Sequence, residues 1–295
     1  MLRTPRTALR ALLLVIGLAL LASLAGFLAQ RLATDAPPLA GDPGPRRIVS
    51  LSPAVTETLE AMGAQQELVA VSDYCPTSLR SVERVGTSIA PSYEHIASLG
   101  PTLVLAEATV GTRIAPLRVL APTLALPWLT VDDLVMSTRK LGQLAGHERE
   151  ADLLATRLEH ELRSSADVAA PEVLLLIGTA SAATDQLWFI RPNSIHGAVL
   201  AAAGGRNAVV GAVRGPPNMS YEHLVELDPE IVISLELPGM GGVSLASIRR
   251  LDQLRAVRSG RVASLVDPAG LVPGPRILDL RDALAALLER LEARA

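Results

Sequence analysis

Aromatic side chains are scarce in this chain, which has two Trp, three Tyr and two Phe among 295 residues. A core of stacked rings is excluded, so Leu, Val, Ile and Ala must fill the interior. Cys75 is the only cysteine. No intramolecular disulfide can form, and the fold must hold by burial alone, which a chain of this length can do. Cys75 reads as a semi-buried small side chain instead of a reactive thiol or metal ligand, because no second soft ligand stands near it. No basic block runs along the body and the formal net charge is −3, which argues against nucleic acid as a partner. The five histidines show neither H-x-x-x-H nor H-E-x-x-H spacing, so no zinc motif is present. The nucleophile elbow and the Walker sequence are missing too. Gly204 and Gly205 close a helical pattern instead of opening one, so they are no phosphate loop. No catalytic role, cofactor or metal is expected.

What is present begins with the N-terminus. Arg3, Arg6 and Arg10 precede an uncharged apolar stretch from Ala11 to Ala29, the pattern of an export signal. Ser23-Leu24-Ala25 offers a small-x-small cleavage site, yet about 19 apolar residues also suffice to span a bilayer. Residues 1–29 are therefore either a signal peptide or an N-terminal membrane anchor. Both readings leave the arginines in the cytoplasm and the body outside it. No cysteine stands directly after the apolar stretch, which excludes the usual bacterial lipoprotein attachment. Residues 30–45, rich in Pro, Ala, Gly and Asp, read as a linker.

The most informative feature is a repeat. Ser92-Tyr93-Glu94-His95 returns as Ser220-Tyr221-Glu222-His223, and each copy runs on to a leucine, a proline and a short apolar run. Those runs are Leu103-Val104-Leu105 and Ile231-Val232-Ile233. The separation is too long for a solenoid, whose periods are about 20–50 residues. It indicates two similar lobes. A glutamate in a first helical turn interacts favourably with the helix dipole, which suffices for one copy. A matched pair in duplicated halves favours docking charges for arginines of a partner.

Fully apolar strands alternate with helices, which argues for parallel sheets covered on both faces. In the first lobe (46–130), strands are expected at 48–52, 68–71, 103–106 and 124–126, with a helix from Ala54 to Met62. The second lobe (170–295) has expected strands at 173–177 and 262–266. A short strand or its flank is expected at 188–190, and helices at 195–203, near 244–254 and at 277–293. Between the lobes, 131–169 reads as a helical connector. Ala151, Leu154, Leu158 and Leu162 form one apolar stripe there.

Ligands in open parallel sheets gather at the carboxyl ends of strands. Asp73, Tyr74, Glu107, Trp128, Thr179 and Asp267 fall at such ends. Tyr74 and Trp128 line a pocket or merely cap the sheet; both readings stand.

Together these features resemble the substrate-binding proteins of ABC importers, in the class whose two lobes are joined by one long helix and which serves vitamin B12, iron-siderophores and haem. The resemblance spans about Arg47 to Leu291. It rests on Arg47-Ile48-Val49-Ser50-Leu51-Ser52-Pro53 with Thr56-Glu57, Val71-Ser72-Asp73-Tyr74, Val85-Gly86, the two Ser-Tyr-Glu segments, Gly204-Gly205-Arg206-Asn207 and Pro273-Gly274-Pro275-Arg276. It implies two parallel-sheet α/β lobes, a single long connecting helix and a ligand cleft between the lobes. It also implies docking of Glu94 and Glu222 onto permease arginines. The opening Leu-Ser-Pro and the Asp-Tyr loop are most similar to the cobalamin-binding branch. Ser52, Asp73, Tyr74, Thr87, Glu107, Trp128, Thr179, Trp188 and Asp267 are then the candidate ligand contacts. The chain departs from that branch at Thr87 and Glu107, where tryptophans are common, and at Pro217-Asn218, where an aromatic is. The alternatives are a ferric siderophore or haem as ligand, or a membrane-tethered sensor with no transport role.

Overall fold

A computed structural model describes residues 46–75, 82–109, 113–163, 167–178, 186–238, 245–267 and 270–293. The N-terminal signal or anchor, the linker and Thr179 lie outside the described residues. Among the described residues no helix is long and apolar enough to cross a membrane.

The first sheet comprises β1 (Ile48–Ser50), β2 (Leu68–Val71), β3 (Glu83–Arg84), β4 (Leu103–Glu107) and β5 (Thr123–Leu126). Their order is β3-β2-β1-β4-β5, and every pairing is parallel. The first strand is central and wholly buried, as its uninterrupted apolar sequence requires. Helices α1 (Pro53–Ala61), α2 (Tyr93–Ser98) and α3 (Ala115–Arg118) belong to this lobe. Proline opens α1 at a position whose missing N–H costs nothing. Gly63, in the left-handed region, follows its end. Val49, Leu51, Ile96, Val104 and Leu117 share one buried cluster.

The connector departs from expectation. In place of one long helix there are two of 15 residues, α4 (Val131–Ala145) and α5 (Glu148–Leu162), each about 22 Å long. Gly146 takes φ +76° and ends α4, and the chain folds back. Arg139 pairs with Asp152, and Arg163 with Asp132, so the helices form an antiparallel hairpin. Gly142 allows the close approach, since a Cβ there would lie 2.2 Å from the Ala151 methyl. Thr130 and Asp133 form a capping box at the start of α4. Ala151, Ala155, Leu158 and Leu162 form the buried stripe of α5, with Ala155 standing where Leu154 was expected.

The second sheet contains β6 (Glu172–Ile177), β7 (Gln186–Phe189), β8 (Arg206–Asn207), β9 (Asn218–Ser220), β10 (Ile231–Glu236) and β11 (Val262–Val266). The order is β11-β10-β6-β7-β9, with β8 beside β6. Its helices are α6 (Ile195–Ala202), α7 (Tyr221–Leu227), α8 (Leu245–Ile248), α9 (Arg255–Arg258) and α10 (Ile277–Glu292). The expectation of a parallel sheet fails here for two strands, because β7 runs antiparallel to both β6 and β9. Eight residues separate β6 from β7, too few for the crossover that a parallel neighbour needs. The exposed-buried alternation of β7 shows the same thing. The helix expected near 244–254 covers only Leu245–Ile248, and Leu254 is extended and fully buried. Leu174, Leu176, Phe189, Leu224 and Val232 belong to a separate buried cluster. Helix α4 packs on α1, α5 packs on α6, and α6 packs on α10, so helices join the two sheets.

Candidate functional site

The repeated segments occupy one topological station. Helix α2 leads into β4, which pairs with the central β1, and α7 leads into β10, which pairs likewise with β6. Ser92 accepts a hydrogen bond from the His95 N–H at 3.4 Å, and Ser220 accepts one from the His223 N–H at 3.3 Å. Each serine is thus an N-cap, worth about 1 kcal/mol. Gly100 and Asp228 hold matching left-handed positions at the other end, at φ +54° and +41°, and a proline follows each. Arg47 donates to the Leu99 and Gly100 carbonyls, and Arg255 donates to the Asp228 carbonyl. The serine, the left-handed residue and the proline are therefore helix-start and helix-stop chemistry. The glutamates are left over. Glu94 and Glu222 are both exposed, and hydrogen bonds, first from Ser220 and then from its own backbone, lower the Glu222 pKa.

Strand register brings the candidate ligand contacts to two edges. Ser50 pairs with both Val71 and Leu105, so Ser52, the Asp73-Tyr74 loop and Glu107 leave the first sheet together. Ser52 is 1% exposed, and its Oγ donates to Glu107 Oε2 at 3.2 Å. Burial raises the Glu107 pKa, and the Ser52 hydrogen bond opposes that rise. Arg84 knits the neighbouring loop by donating to the Ser72, Asp73 and Cys75 carbonyls. Tyr74 stands 75% exposed on that loop. Cys75 is buried beside Ser72, and burial raises its pKa. Thr87 is half-buried, and its hydroxyl accepts from the Ala90 N–H. Trp128 is only 5% exposed, so its ring packs within the lobe.

On the second sheet, Glu236 pairs with Val266 and Ile177 with Trp188. Asp267 and Trp188 thus lie at one edge. Trp188 is 41% exposed. Asp267 donates its N–H to the Glu236 carbonyl.

The edges meet through residues whose motifs were visible but whose roles were not. Arg276, just before α10, donates to the Glu57 carboxylate of α1. Glu57 is 5% exposed. Its hydrogen bond is the leading reason that the Arg276 pKa is raised, and Asp267 acts on the same guanidinium. The Ile195 N–H donates to the Leu129 carbonyl at 2.7 Å, a second link between the halves. Beside it His196 keeps Nε2 buried and without a partner among the described residues. Burial lowers its pKa to about 4, against an opposing backbone hydrogen bond with Gly270. A single sequence gives no signal for the Glu57–Arg276 pairing, because its partners stand 219 residues apart.

Two lobes, each with its own core, and exposed aromatic and acidic groups at the carboxyl ends of strands in both suit a noncovalent ligand site. The model of a periplasmic binding protein matches residues 48–269. The chain belongs to the periplasmic binding protein family. A cobalamin-binding protein of Halobacterium salinarum is 29% identical over 81% of this chain and 68% of its own length. A vitamin B12-binding protein of Pectobacterium atrosepticum is 28% identical over 64% of this chain and 71% of its own. Among solved structures, a periplasmic heme binding protein from Pseudomonas aeruginosa superposes with TM-score 0.66 at 27% identity, covering 83% of this chain and 93% of that one. Family membership makes this a substrate-binding protein of extracytoplasmic location, of the type that works with ABC permease components.

Proposed function

We propose that the protein captures a corrinoid in the cleft between its lobes and delivers it to an ABC permease, docking through Glu94 and Glu222. One observation carries the delivery reading: the Ser-Tyr-Glu-His station recurs at equivalent points of both sheets with its glutamate exposed. The rest of the station caps helices, whereas the glutamates suit charge-assisted pairing with arginines. The corrinoid is supported by the two relatives named for cobalamin and vitamin B12. Tyr74 and Trp188, exposed on opposite lobes, supply faces for a flat macrocycle. Asp73, Asp267 and Glu107 supply polar contacts. The chain is either released after cleavage or held by an N-terminal anchor.

Haem is the second reading, favoured by the structural likeness to the Pseudomonas aeruginosa protein and by the exposed phenol of Tyr74. Titrating the purified body with cyanocobalamin, haemin and a ferric siderophore, followed by visible absorption and calorimetry, separates them. Micromolar or tighter binding of cyanocobalamin alone is the expected result. Tight binding of haemin or the siderophore with none of cyanocobalamin transfers the assignment.

A further inference from the structure

We infer that Glu57 and Arg276, seated against Gly274, form a latch that sets the spacing of the two lobes, and that both are positioning residues for ligand capture. The effect on capture rests on the solute-binding reading above; the effect on spacing does not. Glu57 belongs to the first lobe and Arg276 to the second, 219 positions later. The carboxylate is almost wholly buried, whereas the arginine side chain is 41% exposed. One carboxylate oxygen takes the guanidinium. The other is buried with no hydrogen-bond partner among the described residues. Gly274 closes over it, and a Cβ there would lie 2.6 Å from Glu57 Oε2.

A buried carboxylate deprived of its cation is strongly unfavourable. The lobes therefore favour the spacing at which Arg276 reaches Glu57. Opening wider breaks the ion pair and lifts Gly274 from the carboxylate, which must then be rehydrated, while Arg276 loses little because water already reaches it. The asymmetry makes the pair a restraint on opening that a partner can release from the arginine side. The fit at Gly274 adds a steric constraint, since a Cβ there would press on Glu57 Oε2 and displace the carboxylate from its seat beside Arg276. The latch thus fixes the fraction of molecules ready to close on ligand, and apparent affinity scales with that fraction.

The test places spin labels on Ala97→Cys and Glu226→Cys, both exposed and on opposite lobes. Cys75 is buried and stays unlabelled. Pulsed dipolar distances are read in the parent and in Arg276→Gln, Arg276→Lys and Gly274→Ala. Arg276→Gln and Gly274→Ala are expected to lengthen and broaden the distribution and to weaken cyanocobalamin binding by about fivefold. Arg276→Lys is expected to keep most of the parent spacing. A folded Arg276→Gln with the parent's distances overturns the latch. If the parent binds neither cyanocobalamin nor haemin, the proposed function fails, yet the distances still decide the latch. Glu57→Gln is a further check, and Arg276→Gln carries the test if that variant does not fold.

Discussion

Ser52→Ala is the perturbation whose outcome the structure constrains most tightly. Ser52 is 1% exposed and Glu107 half-buried, so the serine hydroxyl is a donor held against a carboxylate that burial already disfavours. Its bond to Glu107 Oε2 is 3.2 Å, longer than the ~2.5–2.7 Å of a strong hydroxyl–carboxylate bond. The low end of the range for bonds to charged groups applies, about 1.5 kcal/mol at neutral pH. The same bond favours the ionised carboxylate, which burial disfavours. Removing it must push the Glu107 pKa further up. The sign follows: with the folded pKa above the unfolded one, ionised Glu107 weakens the fold as pH rises through that window. Ser52→Ala makes this worse above the window and matters less below it. Urea unfolding at pH 7.5 and pH 4 should give a larger loss at the higher pH. Glu107→Gln should gain stability at pH 7.5 and lose that gain near pH 4. The two changes should be non-additive, because they share one bond. Equal losses at both pH values, or simple additivity, would refute the reasoning.

Changing Glu94 and Glu222 together to Ala should nearly abolish uptake in reconstituted vesicles while affinity for cyanocobalamin stays within about threefold; normal uptake sinks the docking role. Tyr74→Ala and Trp188→Ala should each weaken cyanocobalamin binding by about three- to tenfold with the melting midpoint unchanged, whereas the buried Trp128→Ala should cost about 3–5 kcal/mol of stability. His196 is held neutral with its pKa lowered from 6.5 to about 4, so its contribution is full above pH 6.5 and is lost as pH falls toward 4. At most about 3 kcal/mol is involved, and His196→Leu should flatten that acid limb in urea titrations. Asp228→Ala should destabilise more than Asp228→Gly, because glycine relieves the left-handed strain at φ +41° and alanine does not.

Strands were legible where burial on both faces leaves an apolar run, as at Ile48–Ser50, Leu68–Val71 and Glu172–Ile177. The reversal of β7 was not, because Trp188-Phe189-Ile190 reads as apolar in either direction and only its partners fix its sense. Nor was the break in the connector: the apolar stripe of α5 continues the helical period past Gly146, and a single glycine is tolerated within helices at modest cost. Hairpin closure is decided by Gly142 against Ala151 and by ion pairs with Arg139 and Arg163, contacts that no local period encodes. For the candidate site, the rule of strand ends picked out Tyr74, Glu107 and Asp267, since parallel strands expose their carboxyl ends together, whereas Ser52 came with the resemblance. Asp73 stood out with Tyr74, but Glu57 and Arg276 stood out only as letters in motifs. Their meaning lies in a pairing across lobes.

The same register that groups the candidate contacts also ties them to the repeated Ser-Tyr-Glu-His station. In the first lobe the Ser92 N–H donates to the Val85 carbonyl, the Val85 N–H to Val71, and the Asp73 N–H to Gly86. The start of α2 is therefore connected by backbone bonds to the loop that carries Tyr74. In the second lobe Ser220 ends β9, whose Asn218 pairs with Trp188. The start of α7 is thus three residues from the strand pairing that holds the other exposed aromatic. Each glutamate stands in the first turn of a helix whose N-cap serine is bonded into the edge that presents an aromatic face. Backbone hydrogen bonds and strand pairing thus connect each glutamate's helix to the edge that carries the aromatic of the same lobe. A partner that grips both glutamates consequently reads the spacing of the lobes, and a partner that spreads them withdraws Tyr74 and Trp188 from whatever lies between.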